Sequence, residues 1–174
     1  MSLKKIVTVP DPILRKISNP IEKIGNDEKQ LVHDMFETMY TSNGIGLAAI
    51  QIGVPKRIIV LDVSNKDEEK NPMCFINPKI KKTSDERSSY EEGCLSIPNT
   101  FIQIERPKTC IVEFIDLDGK KKERDCDGLL STCIQHECNH LDGKLIIDFL
   151  SKFKKDLLIK KISKNKNGKD RIVV

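Results

Sequence analysis

Residues 129–141 read LLSTCIQHECNHL, a run whose apolar positions recur at helical spacing and in which His136 and His140 stand four apart. Residues four apart on an α-helix lie one turn above each other, so both imidazoles leave the same face and can converge on one point. Glu137 lies about 100° further round, where a carboxylate can reach the space in front of that point without filling it. This HExxH pattern suits a divalent cation with a general base beside it. The pattern also arises by chance on surfaces that bind nothing. Here the chain has three histidines and two of them fall inside it.

A hydrolytic centre takes three protein ligands and keeps one position open for water. Cys133 shares the histidine face, but it is seven residues, about 10 Å of rise, from His140. Cys138 is two residues from each histidine and points away. The spacing therefore favours a ligand from a distant segment. Cys94, in EEGCLSIP, is a candidate: Gly93 permits close backbone approach and Pro98 sets the exit of the strand. Composition alone would make a single cysteine in an apolar segment part of the core.

Outward from the helix, the pattern is one of short strands with helices set apart. Residues 27–42 carry Leu31, Val32, Met35, Phe36, Met39 and Tyr40 at three- and four-residue spacing, an amphipathic helix with Asp27 as its cap and Asn43 and Gly44 as its stop. GIGLAAIQIGVPK at 44–56 reads as a loop or irregular edge, and RIIVLDV at 57–63 as a buried strand. After a polar loop at 64–71, MCFINPKI is a strand, and TSDERSSYEEG reads as turn chemistry before the next one. Residues 109–128 alternate, turn at Asp118 and Gly119 and return through a charged strand, as a hairpin does. At the start, Pro10, Pro12 and Pro20 leave an extended arm with at most a short turn at 12–17. Residues 145–164 read as a helix in two parts, with Phe149, Leu150, Phe153, Leu157, Leu158 and Ile159 able to pack on the body. Antiparallel strands with segregated helices argue for α+β.

At 174 residues the chain is long enough for one domain, drawn here as 1–163 ending in a C-terminal helix, with 164–174 as a basic tail. With 38% hydrophobic and 32% charged residues it is neither fibrous nor disordered throughout, and no apolar run is long enough to span a bilayer. Pro10 and Pro12 interrupt any signal peptide, so a cytoplasmic protein with six reduced cysteines is expected. Residues 151–174 hold nine Lys and Arg against Asp156 and Asp170, a balance of +7 that leaves −3 on the rest. That asymmetry points to an anionic partner for the tail.

Three segments in order, Gly44-Ile45-Gly46-Leu47-Ala48-Ala49-Ile50-Gln51, Glu92-Gly93-Cys94-Leu95-Ser96 and Gln135-His136-Glu137-Cys138-Asn139-His140, resemble the motifs of the peptide deformylases, and the PDPILR run at 10–15 fits the same family. The resemblance implies an α+β fold with antiparallel sheets around the helix that carries the histidines, and an N-terminal and a C-terminal helix. It implies Cys94, His136 and His140 as metal ligands and Glu137 as acid and base. Gln51 and the Leu95 N–H would hold the developing oxyanion, and Ile45, Gly46 and Cys133 would line a methionine pocket. The expected metal is Fe2+, with Zn2+, Ni2+ or Co2+ as replacements. The expected substrate is the N-formyl-methionyl end of new polypeptides, handled by a monomer in the bacterial cytoplasm. The basic C-terminal helix and tail are expected on the ribosome surface, and no membrane is involved. Two positions depart from the family: Ile50 stands where proline or threonine is common, and Asn139 where aspartate is usual. Asn139 offers no carboxylate to an arginine such as Arg106.

Two other classes compete on the residues alone. A zinc endopeptidase shares HExxH but needs a downstream ligand, and no histidine follows His140. A nucleic-acid-binding module with a closed structural metal site needs a fourth ligand, for which Cys133 is the one cheap candidate.

Overall fold

A computed structural model describes residues 2–65 and 68–164. Helix α1, Asn26–Thr41, is followed by the short strand β1, Gly46–Ala48, and a 3-10 turn, Ala49–Ile52. Strands β2 (Ile58–Leu61), β3 (Met73–Thr83), β4 (Arg87–Cys94), β5 (Ile97–Pro107), β6 (Cys110–Ile115) and β7 (Lys121–Cys126) come next, then α2, Gly128–Leu141. Another 3-10 turn, Ile146–Phe149, precedes α3, Lys152–Lys164. The strands form a five-stranded antiparallel sheet in the order β1-β2-β3-β6-β7 and a two-stranded antiparallel sheet of β4 and β5. The fold is α+β, as the alternation of patterns predicts.

Helix α1 begins one residue earlier than its periodicity suggests, and Asp27 is not its cap. The capping position is Gly25, whose N–H donates to Glu28 at 2.9 Å. This reciprocal bond supplies an acceptor from inside the helix, so Asp27 is left to act only through its charge near the positive helix end. Asn43 closes the other end in the left-handed region at φ 54°, and the Gly44 N–H donates to the Met39 carbonyl at 2.9 Å.

The glycine-rich segment at 44–56 is an edge after all: β1 pairs with β2 over only three residues. The stretch RSSYEEG, expected as turn chemistry, is strand β4, paired with β5 from Arg87↔Pro107 to Gly93↔Phe101. Its polar residues are compatible with a strand because the pair turns its outer face to water.

Helix α2 is buried along most of its length, with Ile134, Cys138 and Leu141 packed against Phe75, Val112 and Phe114 of the large sheet. The second core, of Val9, Leu14, Ile97, Ile102, Ile104 and Ile147, joins the arm to β5 and to the Ile146–Phe149 turn. Helix α3 is attached to that core by Leu158, Ile159 and Ile162. Phe149, Phe153 and Leu157, expected to pack on the body, are instead exposed, Phe153 at 73%. The proposed tail at 165–174 lies outside the described residues.

The N-terminal arm is irregular apart from a 3-10 turn at Pro12–Arg15, inside the span where a short turn is expected, and it is tied to the backbone of the site. The Val7 N–H donates to the Gln51 carbonyl at 2.7 Å and the Val9 N–H to the Ser96 carbonyl at 3.0 Å.

Candidate metal centre

Two elements bring the donors together. β4 ends at Cys94, where the pairing register slips and a two-residue turn of Leu95 and Ser96 returns the chain as β5. The slip brings the Cys94 side chain to the buried histidine face of α2. Helix α2 supplies His136 and His140 from one face, their rings 5.1 Å apart. Cys94 Sγ lies 3.2 Å from His140 Nε2, and the sulfur and one nitrogen of each histidine all fall within 4.8 Å of one another. Ligand atoms around one tetrahedral cation with thiolate and imidazole bonds sit about 3.5 Å apart. The three side chains therefore fit a single divalent ion, and one sulfur with two nitrogens is a donor set for iron, zinc, nickel or cobalt.

The surroundings suit such an ion. Glu92 Oε2 lies 2.9 Å from His136 Nδ1, which favours the proton on that nitrogen and leaves Nε2 free to bind. Glu92 is itself clamped by Arg106, whose Nε and Nη2 donate to its two oxygens at 2.5 Å and 2.9 Å. Burial works to raise the Glu92 carboxyl, but the His136 and Arg106 hydrogen bonds prevail and hold it below the usual carboxylate range. Arg106 Nη1 donates to the Asn139 amide oxygen at 2.8 Å, so the expected loss of this pairing does not occur: a carbonyl oxygen takes the place of a carboxylate. His140 is held neutral, its pKa well below the ordinary value, by burial first and also by the positive charge of Arg106 and Arg15. A neutral imidazole is the form that binds metal.

Glu137 faces the same space. Its Oε2 is buried with no partner among the described residues, and burial pushes the carboxyl up to about 7, with Glu92 adding and His136 and Arg106 opposing. A carboxyl poised there can both take and give a proton near neutral pH. β1 runs so close that a Cβ on Gly46 would sit 2.5 Å from Glu137 Oε1 and 2.8 Å from Leu61 Cδ2, so this position takes only glycine without displacement. The Gln51 amide is oriented by its oxygen, which accepts from the Ala48 N–H at 2.8 Å. Its nitrogen then points at Ser96 Oγ, 3.2 Å away, and at Cys94 Sγ, 3.7 Å away.

These groups open onto a cleft of about 620 Å³, including its solvent-open part. Ile45, Gly46, Leu95 and Cys133, each singled out in the sequence, line it together with Gln51 and Glu137. Leu129 and Thr132 also line it, and neither is marked by a motif. Cys133 is buried in an apolar wall and its thiol is pushed above its ordinary range, by burial first and then by Glu137 and Glu92. Glu92 and Ser96 stand inside the quoted motif, yet nothing in the spacing assigns either a contact. A second grouping, His33, Asp34 and Glu37 on α1, already has a cation, since Lys4 Nζ lies 3.2 Å from Asp34.

Residues 3–156 match the family model described as polypeptide deformylase. The chain belongs to that family. A peptide deformylase of Pelagibacter ubique is 56% identical over 174 residues, covering all of both chains, and one of Rhizobium meliloti is 53% identical over 94% of each. The crystal structure of a peptide deformylase from Ehrlichia chaffeensis in complex with actinonin is 43% identical, covers 97% of this chain and 100% of its own, and superposes with a TM-score of 0.91. The family is metal-dependent and its members are hydrolases that act on an amide bond.

Proposed function

We propose that this chain removes the formyl group from the N-terminal formyl-methionine of new polypeptides and releases it as formate. The observation that carries the reading is the convergence of Cys94, His136 and His140 on one point with the Glu137 carboxyl beside it, in a chain of this family. Cys94, His136 and His140 would hold the metal, which we take to be Fe2+, with Zn2+, Ni2+ or Co2+ able to replace it. A divalent cation held there would lower the pKa of water toward neutrality and polarise a carbonyl oxygen.

Glu137 takes a proton from the water that attacks the formyl carbon. Charge then builds on the former carbonyl oxygen, where the Gln51 amide nitrogen and the Leu95 N–H donate. One such donor is typically worth about 3 kcal/mol in the transition state. Glu137 returns its proton to the amine nitrogen as the C–N bond breaks, leaving formate and a free N-terminus. Arg106 and Glu92 fix the His136 ring, and Ile45, Gly46 and Cys133 shape the wall for the methionine side chain. A formyl hydrogen fits where an acetyl methyl does not, so acetylated peptides are poor substrates.

We also take the protein to be a monomer of the bacterial cytoplasm, formed as one domain, and assign ribosome binding to α3. The support for the last is the row Lys152, Lys154, Lys155, Lys160, Lys161 and Lys164, beside the exposed Phe153 and Leu157. The test of the main reading is formate release from a formyl-Met peptide measured beside cleavage of internal peptide bonds and deacetylation of the acetyl-Met analogue. Fast release of formate alone is expected. Internal cleavage would instead identify an endopeptidase, and comparable rates on formyl and acetyl peptides would refute the site as described.

A further inference from the structure

Four of the six cysteines lie in one core cluster, and two of these face each other. Cys110 opens β6 and Cys126 closes β7, and the register pairs them directly. Both are buried, at 2% and 3% exposure, on the face turned toward α2. We propose that Cys110 and Cys126 are a redox-sensitive thiol pair that closes into a cross-strand disulfide on exposure to peroxide, bracing the root of the helix that carries the metal-binding histidines.

Directly opposed antiparallel residues have Cα atoms about 4.5–5.5 Å apart, inside the roughly 4.4–6.8 Å that a disulfide spans, and their side chains share a face. No strand movement is needed to bring the sulfurs together. The other cysteines are not so placed. Cys133 and Cys138, five apart on one helix, leave it about 140° apart. Cys94 belongs to the metal cluster and Cys74 lies with the core under α1.

The pair is also electronically uneven. In the reduced chain the Cys126 thiol donates to the Arg124 carbonyl at 3.7 Å; the neighbouring Cys126 draws the Cys110 thiol below its ordinary range against the upward push of burial, with Ser131 adding to it, and Cys126 is pushed up in turn. Cys110 is then the nucleophile. Its thiolate attacks one oxygen of hydrogen peroxide, breaking the O–O bond and forming a sulfenic acid, and the departing hydroxide takes the proton that the Cys110 thiol gave up, making the first water. The Cys126 sulfur attacks the sulfenic sulfur, the S–O bond breaks, and the Cys126 proton leaves with the oxygen as a second water. Two thiols are oxidised by two electrons and one peroxide is reduced to two waters.

The bridge closes residues 110–126 into a loop, which restricts the unfolded chain more than the folded one. Only Asp127 separates Cys126 from α2, so the constraint reaches the first turn of that helix. For a loop of this length in a protein of this size, the thermal midpoint should rise by about 5–10 °C.

The test uses the zinc-loaded full chain, whose metal does no redox chemistry. Peroxide-treated protein is denatured, alkylated with N-ethylmaleimide, digested and mapped by mass spectrometry. A peptide pair joining Cys110 to Cys126, lighter by two hydrogens and restored by dithiothreitol, is expected, together with the reversible rise in midpoint. Cys110→Val and Cys126→Ala should each abolish both, and should a variant not fold, the map of the unsubstituted chain decides alone. Full alkylation of both cysteines at a dose that has oxidised methionines would overturn the proposal. So would a bridge between any other pair, or conversion of Cys110 to a sulfinic acid without a bridge.

Discussion

Glu137→Gln leaves Cys94, His136 and His140 in place and replaces a carboxyl poised near neutrality with an amide that cannot carry a proton. Metal content by elemental analysis should stay unchanged while kcat falls by about 10²-fold or more. Equal activity in this variant would sink the assignment of the base. Cys94→Ala should show the opposite pattern, losing metal, and Cys133→Ala should keep it. At this scale the sequence was readable where helical geometry alone places a side chain, as for His136, Glu137 and His140. Cys94 needed the family motif, because nothing in EEGCLSIP states that the pairing register slips there. Glu92 and Ser96 escaped because a hydrogen bond to a ring nitrogen or to the Gln51 amide exists only once strands and helix are assembled. Asn139 shows the reverse error: the change from carboxylate to amide is visible in one letter, but whether an oxygen still meets Arg106 depends on three-dimensional reach.

Asp148 ties three elements together. It accepts from Arg15, in the 3-10 turn of the arm, at 2.5 and 3.1 Å, from Lys155 of α3, and from the Leu145 N–H at 2.8 Å. Partial burial pulls its pKa up, but the Arg15 and Lys155 contacts win and bring it down to about 2. A carboxyl whose folded pKa is depressed stabilises the folded state above its unfolded value, near 4, and loses that contribution as pH falls through about 2. Because the group is well solvated, the stabilisation is of order 1 kcal/mol. Urea titrations of Asp148→Asn should show that deficit at pH 7 and find it closing between pH 4 and pH 2. A gap independent of pH would mean packing, not charge, joins the three pieces. Elements with a buried face announced themselves: α1 and β6 have apolar residues at the period of their geometry and β2 is a continuous apolar run, while β7, charged almost throughout, was legible only from the turn at Asp118 and Gly119 that precedes it. β4 did not, since its outward residues are polar and its glutamates sit where a turn would also accept them. The outward placement of Phe149, Phe153 and Leu157 was equally hidden, because periodicity identifies an apolar stripe but not which part of it finds a partner.

Across the whole molecule, charge is separated, with the lysines of α3 at one end of an otherwise mildly acidic chain. If α3 binds ribosomal RNA, co-sedimentation with ribosomes should weaken steeply as salt rises, through release of counterions from phosphate. Removing residues 160–174 should weaken it further while turnover of a short formyl peptide stays near its full value. Co-sedimentation unaffected at low salt would leave the lysines as a solvated face. A different long-range link runs through the arm, whose Val7 and Val9 amides are bonded to the carbonyls of Gln51 and Ser96. Those two amides should exchange their hydrogens for deuterium slowly, although they belong to no helix or strand, and the Lys5 and Thr8 amides beside them quickly. Their deuterium uptake would then serve as a remote gauge of the cleft: a ligand that tightens the Gln51–Ser96 contact would slow labelling in a segment it never touches, and a fusion that pulls on the start of the chain would speed it.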